Sequence, residues 1–534
     1  MKRIMLFLAV PVLLLAMPPR PGLNAPEPVY PKGVEVAGPN KLKGFDQLET
    51  VCILMDFPDN RADSLRRPAA KFDSMLYSTG VYTGQQYRQG SLNDFFLENS
   101  YGSYHVMGGI AGNRWFRSTY NYSRYDDGNY MLGTGYQLAS ENVAQVDASV
   151  DFSQYDLNQD GHIDAMFMVH AGSDGADDGN VHHCWSHAIP GFGYTTNDGV
   201  VIDGVTNVPE FAMVTPARET TMCCIAVMCH EMGHLVGLPD LYDYSRNEWG
   251  PGYWGLMSYG AWGAGGNTPW SPSHMEAWSM VEGGFATPTV ITHDTFDLHI
   301  LDVETHPIIY KVWRNGVNTD SCFLLENREQ KGFDTPLPGA GLLIWHIDYT
   351  QSGYYNIVDL EEDSTDHLSH GFGYRPDPHV YHPEMGAPSD PLPGTWNRDR
   401  FDNSSKPNSK NNRGQPTNVN VTNIRMAGDT VICDVWFGAS GIENRPELVI
   451  EPGLRFGPNP ARGPVLVTYC LPKAGAVRLG LYDAAGGLVS TLARGWRLAG
   501  VSSFELRVSD FPRGIYVLRL ESAGTQAAAK LVLE

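Results

Sequence analysis

The chain has 534 residues, of which 42% are hydrophobic and 11% aromatic, and it holds 57 Gly and 36 Pro. That length suits two to four domains of roughly 100–200 residues, and this composition excludes global disorder and points to many turns. A formal net charge of −22 argues against non-specific binding to nucleic acid or to an anionic membrane surface, since both need a positive face.

At the N-terminus Lys2 and Arg3 precede the apolar run IMLFLAVPVLLLAM, which is too short and too Pro-interrupted to span a bilayer and is followed by the polar, Pro-rich PPRPGLNAPEP. This pattern predicts a signal peptide over residues 1–25, cleaved between Ala16 and Ala25, and a secreted or cell-surface address. A short pro or linker segment covers 26–47, and no later stretch reads as a membrane span. LETVCILMDFPD is apolar and β-branched and ends in turn residues, so it predicts a first strand. SLNDFFLENSYG predicts a helix capped by Ser91, and DAMFMVHAG a second buried strand.

Between them, DLNQDGHID places Asp156, Asn158, Asp160 and Asp164 at the oxygen-donor positions of a calcium loop, with Gly161 at its sharp turn. Its twelfth position is Phe167 rather than Glu, so a Ca2+ loop completed from elsewhere and a plain Asx-rich turn both stay open. His182 and His183, the DLEEDSTDH stretch and His346 are read as ordinary surface or packing groups. Cys223, Cys224 and Cys229 crowd CCIAVMC without a paired CxxC spacing and are read as small buried helix residues rather than zinc thiolates.

The continuous apolar TTMCCIAVMC predicts a buried helix running into HEMGHLVGLPD. Residues i and i+4 of a helix lie on one face, so His230 and His234 can aim ring nitrogens at a single metal ion. Glu231 sits beside that face, placed to deprotonate a water without binding the metal. Gly237 permits a tight reversal after the helix, Pro239 stiffens the return, and Asp240 reaches back toward the metal. Further on, WGLMSYGAW has the pattern of a methionine turn: Met257 as an apolar floor, and Tyr259 able to reach a tetrahedral intermediate or a ligand.

Strand and helix signals mix to about residue 284, an α+β pattern; VITHDTFDLHIL, HPIIYKVW, GLLIWHID and GDTVICDVWFG then predict a β-sandwich over 285–438. A linker at 439–447 leads to evenly spaced short strands over 448–534, a second, small β-sandwich.

The extended zinc motif resembles metzincin zinc peptidases, and VCILMDFPD, SLNDFFLENSYG, DLNQDGHIDAMFMVHAG, CWSH, SPSHMEAWSM and FLLENREQKGFDTPLPGAGLLIWHID resemble the immune inhibitor A family of secreted bacterial metallopeptidases over roughly residues 48 to 438. The resemblance implies an α+β, metzincin-like catalytic domain over 48–284, bound Zn2+, and protein or peptide substrates cut by an activated water with Glu231 as general base. Asp240 stands where most metzincins carry a third histidine, and Glu276 is the competing ligand, because a glutamate on a later helix serves in the other large class of HExxH peptidases. The stretch before Val51 is short for a full latency propeptide, which leaves the activation route open. FGPNPARGPVLVTYCLP, LYDAAGGLV and PRGIYVLRL are similar to sorting domains of type IX secretion and to immunoglobulin-like modules, implying secretion machinery as a partner; a monomer is expected. The alternative from another class is a non-catalytic cell-surface binding protein that retains the peptidase fold; the intact Glu231 weighs against it.

Overall fold

The computed structural model describes residues 15–20, 47–83, 89–211, 223–243, 249–266, 268–313, 321–351, 354–362, 385–438, 453–457, 459–461, 465–471, 475–497, 500–506, 508, 511–522 and 525–533. The linker expected at 439–447 and most of the expected signal peptide and DLEEDSTDH stretch lie outside them. Two compact units are present, Met1–Thr292 with Ile300–Arg400 and Ile424–Val431, and His293–His299 with Phe401–Asn423 and Ile432–Glu534.

The first unit is built on a six-stranded sheet. Its strands are β1 (Leu15–Ala16), β2 (Gln47–Asp56), β3 (His105–Arg117), β4 (His162–Ser173), β5 (His187–Thr195) and β6 (Val201–Phe211), in the order β1-β5-β6-β4-β2-β3. Strands β3, β2, β4 and β6 run parallel. Parallel strands are covered on both faces and so read as unbroken apolar runs, which is why VCILMD and MFMVHA lack alternation: every residue from Leu48 to Asp56 is buried. β5 returns antiparallel on β6, and β1 pairs antiparallel on the outer side of β5, Leu15 opposite Ala188 and Ala16 opposite His187.

Helices α1 (Ala69–Tyr77), α2 (Leu92–Asn99), α3 (Gly135–Val146), α4 (Gly175–Asp178), α5 (Ile225–Leu235) and α6 (Ala277–Glu282) complete this part. α2 starts at Ser91 with a capping box: the Ser91 hydroxyl accepts from the Asp94 N–H at 2.9 Å, and the Asp94 carboxylate accepts from the Ser91 N–H at 2.9 Å. α5 is buried from Ile225 to His234, as a helix apolar all round must be. Cys223 and Cys224 precede its first turn rather than lying in it, and together with Cys229 they carry free thiols whose pKa burial pushes up.

The residues from 285 to 438 divide between the units. A five-stranded sheet, of Val358–Leu360, Gly341–Asp348, Ser321–Arg328, Tyr310–Val312 and Thr289–Ile291 in that order, lies in the first. From its end Arg328, fully buried, donates to Asp334 through Nε at 2.8 Å and to the Trp254 carbonyl through Nη1 at 2.9 Å, and so fixes the chain just ahead of Met257. Most of a four-stranded sheet (Arg400–Phe401, Val419–Ala427, Thr430–Phe437 and Thr295–Leu301) lies in the second. The second unit also holds a three-stranded sheet (Gly453–Gly457, Val465–Leu471, Gly500–Leu506) and a four-stranded one (Leu488–Arg497, Gly475–Asp483, Gly514–Ser522, Thr525–Leu533). These two share one core that includes Val465, Val467, Leu479, Leu481, Leu518 and Leu531.

Candidate active site

α5 carries His230, Glu231 and His234, all buried. Its apolar run stops at Leu235; the Gly237 N–H closes on the His234 carbonyl at 3.0 Å and the Leu238 N–H on the Gly233 carbonyl at 2.9 Å. Gly237 has φ 94°, a left-handed conformation that a side chain would strain, and this turn sends the chain back toward the histidines.

Each histidine is oriented by a backbone carbonyl. His230 Nδ1 lies 3.0 Å from Leu256 O, and His234 Nδ1 lies 2.9 Å from Leu238 O. A carbonyl can only accept, so both Nδ1 atoms carry the proton and both Nε2 atoms present a lone pair. The two Nε2 atoms face Asp240 Oδ1, at 3.1 Å from His230 and 3.4 Å from His234. Burial holds the His230 pKa below its usual value, although Asp240 opposes this, so its neutral form is favoured. Burial raises the Asp240 pKa, but the influence of the two facing histidines, His234 first, outweighs it and leaves the carboxyl well below the usual range.

Three electron-rich atoms that converge in a buried place repel one another unless a cation sits among them. Two bonds of about 2.0–2.1 Å meeting at the tetrahedral angle span about 3.4 Å, close to the separations found here, so the donor set fits zinc in both kind and spacing. Among the described residues, His230, His234 and Asp240 are the group of three or more such side chains close enough to share one ion.

Glu276, the competing candidate, is engaged elsewhere. It is the N-cap of α6, and its Oε1 accepts from the Ser279 N–H at 2.8 Å. Burial pushes its pKa up to about 7. Both oxygens of Glu231 are buried without a hydrogen-bond partner among the described residues. Burial pushes the Glu231 carboxyl well above the carboxylate range; Asp240 and Asp174 add to this, and the Met17 backbone opposes it. Met257 lies fully buried under α5, where a Cβ on Gly233 would come within 2.4 Å of its Sδ. The Met257 carbonyl accepts from the Leu241 N–H at 2.9 Å, next to Asp240. Tyr259 is buried two residues on, its ring 5.1 Å from that of Trp249 and 6.0 Å from that of Tyr242.

The acidic loop is arranged differently. Asp156 accepts from the N–H groups of Asp160 and Gly161, each at 3.0 Å, Asn158 from Asp160 at 2.8 Å, Asp160 from His162 at 2.9 Å and Asp164 from Glu49 at 2.8 Å. Gly161 takes φ 87° at the turn. In this conformation Asn158 and Asp160 form Asx turns, and all four side chains bond backbone N–H groups. His346 lies against Phe323 and within 3.2 Å of Glu361. His182 and His183 face Asp126 and Asp178.

Residues Leu15–Arg20, assigned by the sequence to the signal peptide, run beside this centre. Past the β1 pairing, the Met17 N–H donates to Ser186 O at 3.3 Å, and its carbonyl accepts from Trp185 Nε1 at 2.6 Å. The Pro18 carbonyl accepts from Trp262 Nε1 at 2.9 Å, and the Arg20 N–H donates to Ala176 O at 2.9 Å. Sequence reasoning missed Trp185, Trp262 and Asp177 as neighbours of the centre, although CWSH contains Trp185 and WGLMSYGAW ends at Trp262.

Residues 50–284 match the model of the immune inhibitor A peptidase M6 catalytic domain, and residues 456–534 that of the secretion system C-terminal sorting domain. The chain is similar to the pre-pro-metalloprotease PrtV of Vibrio cholerae, at 28% identity over 284 residues, 43% of this chain and 30% of PrtV. It is also similar to immune inhibitor A of Bacillus thuringiensis subsp. alesti, at 26% identity over 319 residues, 50% of this chain and 44% of that protein. It thus spans less than half the length of these curated relatives. A solved structure of OgpA from Akkermansia muciniphila aligns over 95% of this chain and 96% of its own at 11% identity, with a TM-score of 0.26, too low to carry an argument. The sorting-domain match gives the chain an extracellular or cell-surface localisation. No helix among the described residues is long and apolar enough to cross a membrane.

Proposed function

We propose that this chain, which carries an immune inhibitor A peptidase catalytic domain and a C-terminal type IX sorting domain, is a secreted zinc endopeptidase of protein or peptide substrates. In this reading residues 48–284 are a metzincin-like catalytic domain, 285–438 a β-sandwich, and 448–534 an immunoglobulin-like module, joined by the 439–447 linker, that engages the secretion machinery. His230, His234 and Asp240 hold the metal, Glu231 is the general base, Met257 is the floor, and Tyr259 assists the developing negative charge. The observation that carries the proposal is the convergence of two histidine Nε2 atoms on Asp240 Oδ1, each ring locked by a backbone carbonyl on its other nitrogen.

Bound zinc supplies a Lewis acid that polarises the scissile carbonyl and lets water lose a proton near neutral pH. Glu231 takes that proton and returns it to the leaving amine, and its two uncommitted oxygens suit both tasks. Its place directly after His230 on a buried helix keeps the carboxylate at a fixed distance from the metal ligands without making it one. The Nδ1 bonds to Leu256 and Leu238 hold the rings still, which keeps the electrostatic environment of the reaction preorganised.

The test is casein cleavage with and without a chelator, repeated on Glu231→Ala, with bound zinc measured on both proteins. Cleavage should need the metal, and Glu231→Ala should keep its zinc while losing about 10²–10⁴-fold in rate. A variant of parental activity removes Glu231 from the mechanism. A folded, zinc-loaded parent that cuts nothing is instead the non-catalytic surface binding protein.

A further inference from the structure

We propose that the groove along β5 reads a basic side chain through Asp177, so that peptides with Arg or Lys three residues after the one whose carbonyl Trp185 takes are favoured. This rests on the peptidase reading above and names the substrate class of the same site. The chain's own segment shows how a peptide fits. Leu15 and Ala16 extend the sheet as an antiparallel strand on β5, and the Met17 N–H continues to the Ser186 carbonyl. Two indoles, of Trp185 and Trp262, then take the carbonyls of Met17 and Pro18, and Ala176 O takes the Arg20 N–H.

All of those contacts are to backbone, which every peptide has, and strand addition of this kind gives affinity without choosing a sequence. The Met17 side chain is also buried in the core, and the charged contact that depends on residue type is at Arg20, whose Nη1 lies 3.2 Å from Asp177 Oδ1. The carboxylate side is enclosed, with 1% of the Asp177 side chain exposed against 31% for Arg20. An ionic contact at such a place is stronger than one between two exposed groups, because less water screens it.

Asp177 is also held firmly. It lies on α4, whose N-cap Asp174 accepts from the Ala176 N–H at 2.9 Å and from the Ser186 hydroxyl at 2.5 Å. Ser186 also supplies the carbonyl that receives the Met17 N–H. One short rigid unit therefore sets both the register of the bound strand and the position of the carboxylate. A neutral side chain at the Arg20 position would forgo that ion pair, and an acidic one would set a like charge against a buried carboxylate; both are unfavourable.

The experiment uses zinc-loaded full-length chain in which Met17–Arg20 are replaced by Gly-Ser repeats, so that the groove is open. A fluorescent peptide Leu-Ala-Met-Pro-Pro-Arg-Pro-Gly and its Arg-to-Gln version are titrated by anisotropy, and cleavage of a peptide mixture is mapped by mass spectrometry. The Gln peptide should bind about tenfold more weakly, and Asp177→Asn should abolish the difference. Cleaved peptides should be enriched in Arg or Lys at one position for the open chain, and Asp177→Asn should erase that enrichment. Equal binding of the two peptides, or a preference that survives Asp177→Asn, overturns the proposal. An intact binding preference with no cleavage of any peptide supports the Asp177 subsite while overturning the peptidase reading.

Discussion

Gly233 lies between the two histidines of α5, and its lack of a side chain is what admits Met257. A Cβ there would stand 2.4 Å from Met257 Sδ and 3.2 Å from its Cε. Ordinary contacts between such atoms are about 3.5–4.0 Å, so the thioether must retreat by more than about 1 Å. It has nowhere to go, because Met257 is fully buried, its carbonyl holds the Leu241 N–H and the carbonyl before it holds His230. Overpacking of this kind costs about 1–3 kcal/mol. Replacing a helical glycine by alanine stabilises by about 0.5–1 kcal/mol. The clash wins, and Gly233→Ala should lose about 1–2 kcal/mol net. With Met257→Ala as background the clash is gone, and the same substitution should gain about 0.5–1 kcal/mol. The pair should thus couple by about 2 kcal/mol in a double-mutant cycle, measured by urea unfolding of the four metal-free proteins. Gly233→Ala stabilising the parent as it would an ordinary helix, with no coupling to Met257, would refute this packing of the floor beneath the site.

Zinc content separates the two candidate ligands: Asp240→Ala should lose the metal, whereas Glu276→Ala should keep it and lose about 0.5–2 kcal/mol of stability with its helix cap; the opposite pattern overturns the ligand set and the metzincin-like reading together. If the acidic loop binds Ca2+, millimolar calcium should raise the melting temperature of the parent and not of Asp160→Ala, by mass action on the native state; a calorimetric trace indifferent to calcium leaves the loop as the Asx turn it forms here. A chain ending at Ala439 should keep its specific activity on a peptide and fail to reach the cell exterior. Fractionation and a peptidase assay check both, and an inactive but folded truncation would place the sorting module in the catalytic unit.

Much of the site's local chemistry was legible in the sequence. The four-residue spacing of His230 and His234 sets both rings on one helical face, and Gly237 marks the reversal because few other residues tolerate its φ of 94°. The apolar runs of β2 and β4 revealed strands, and Ser91 a helix cap. Each of these depends on neighbours within a turn or a strand, where steric and hydrogen-bonding preferences act directly. Which carboxylate stands against the histidines was not decidable in that way: Asp240 and Glu276 were both plausible until the chain's return placed one at 3.1 Å from His230 and made the other a helix cap. Nor could spacing say whether Asp156, Asn158, Asp160 and Asp164 converge, since the same residues satisfy backbone N–H groups in an Asx turn. The carbonyl that orients His230 comes from 26 residues away, and the indoles of Trp185 and Trp262 meet Met17 and Pro18 across 168 and 244 residues. Such contacts are set by how the sheet stacks its strands and where loops return. Local preferences carry no record of that, and only the tertiary structure decided it.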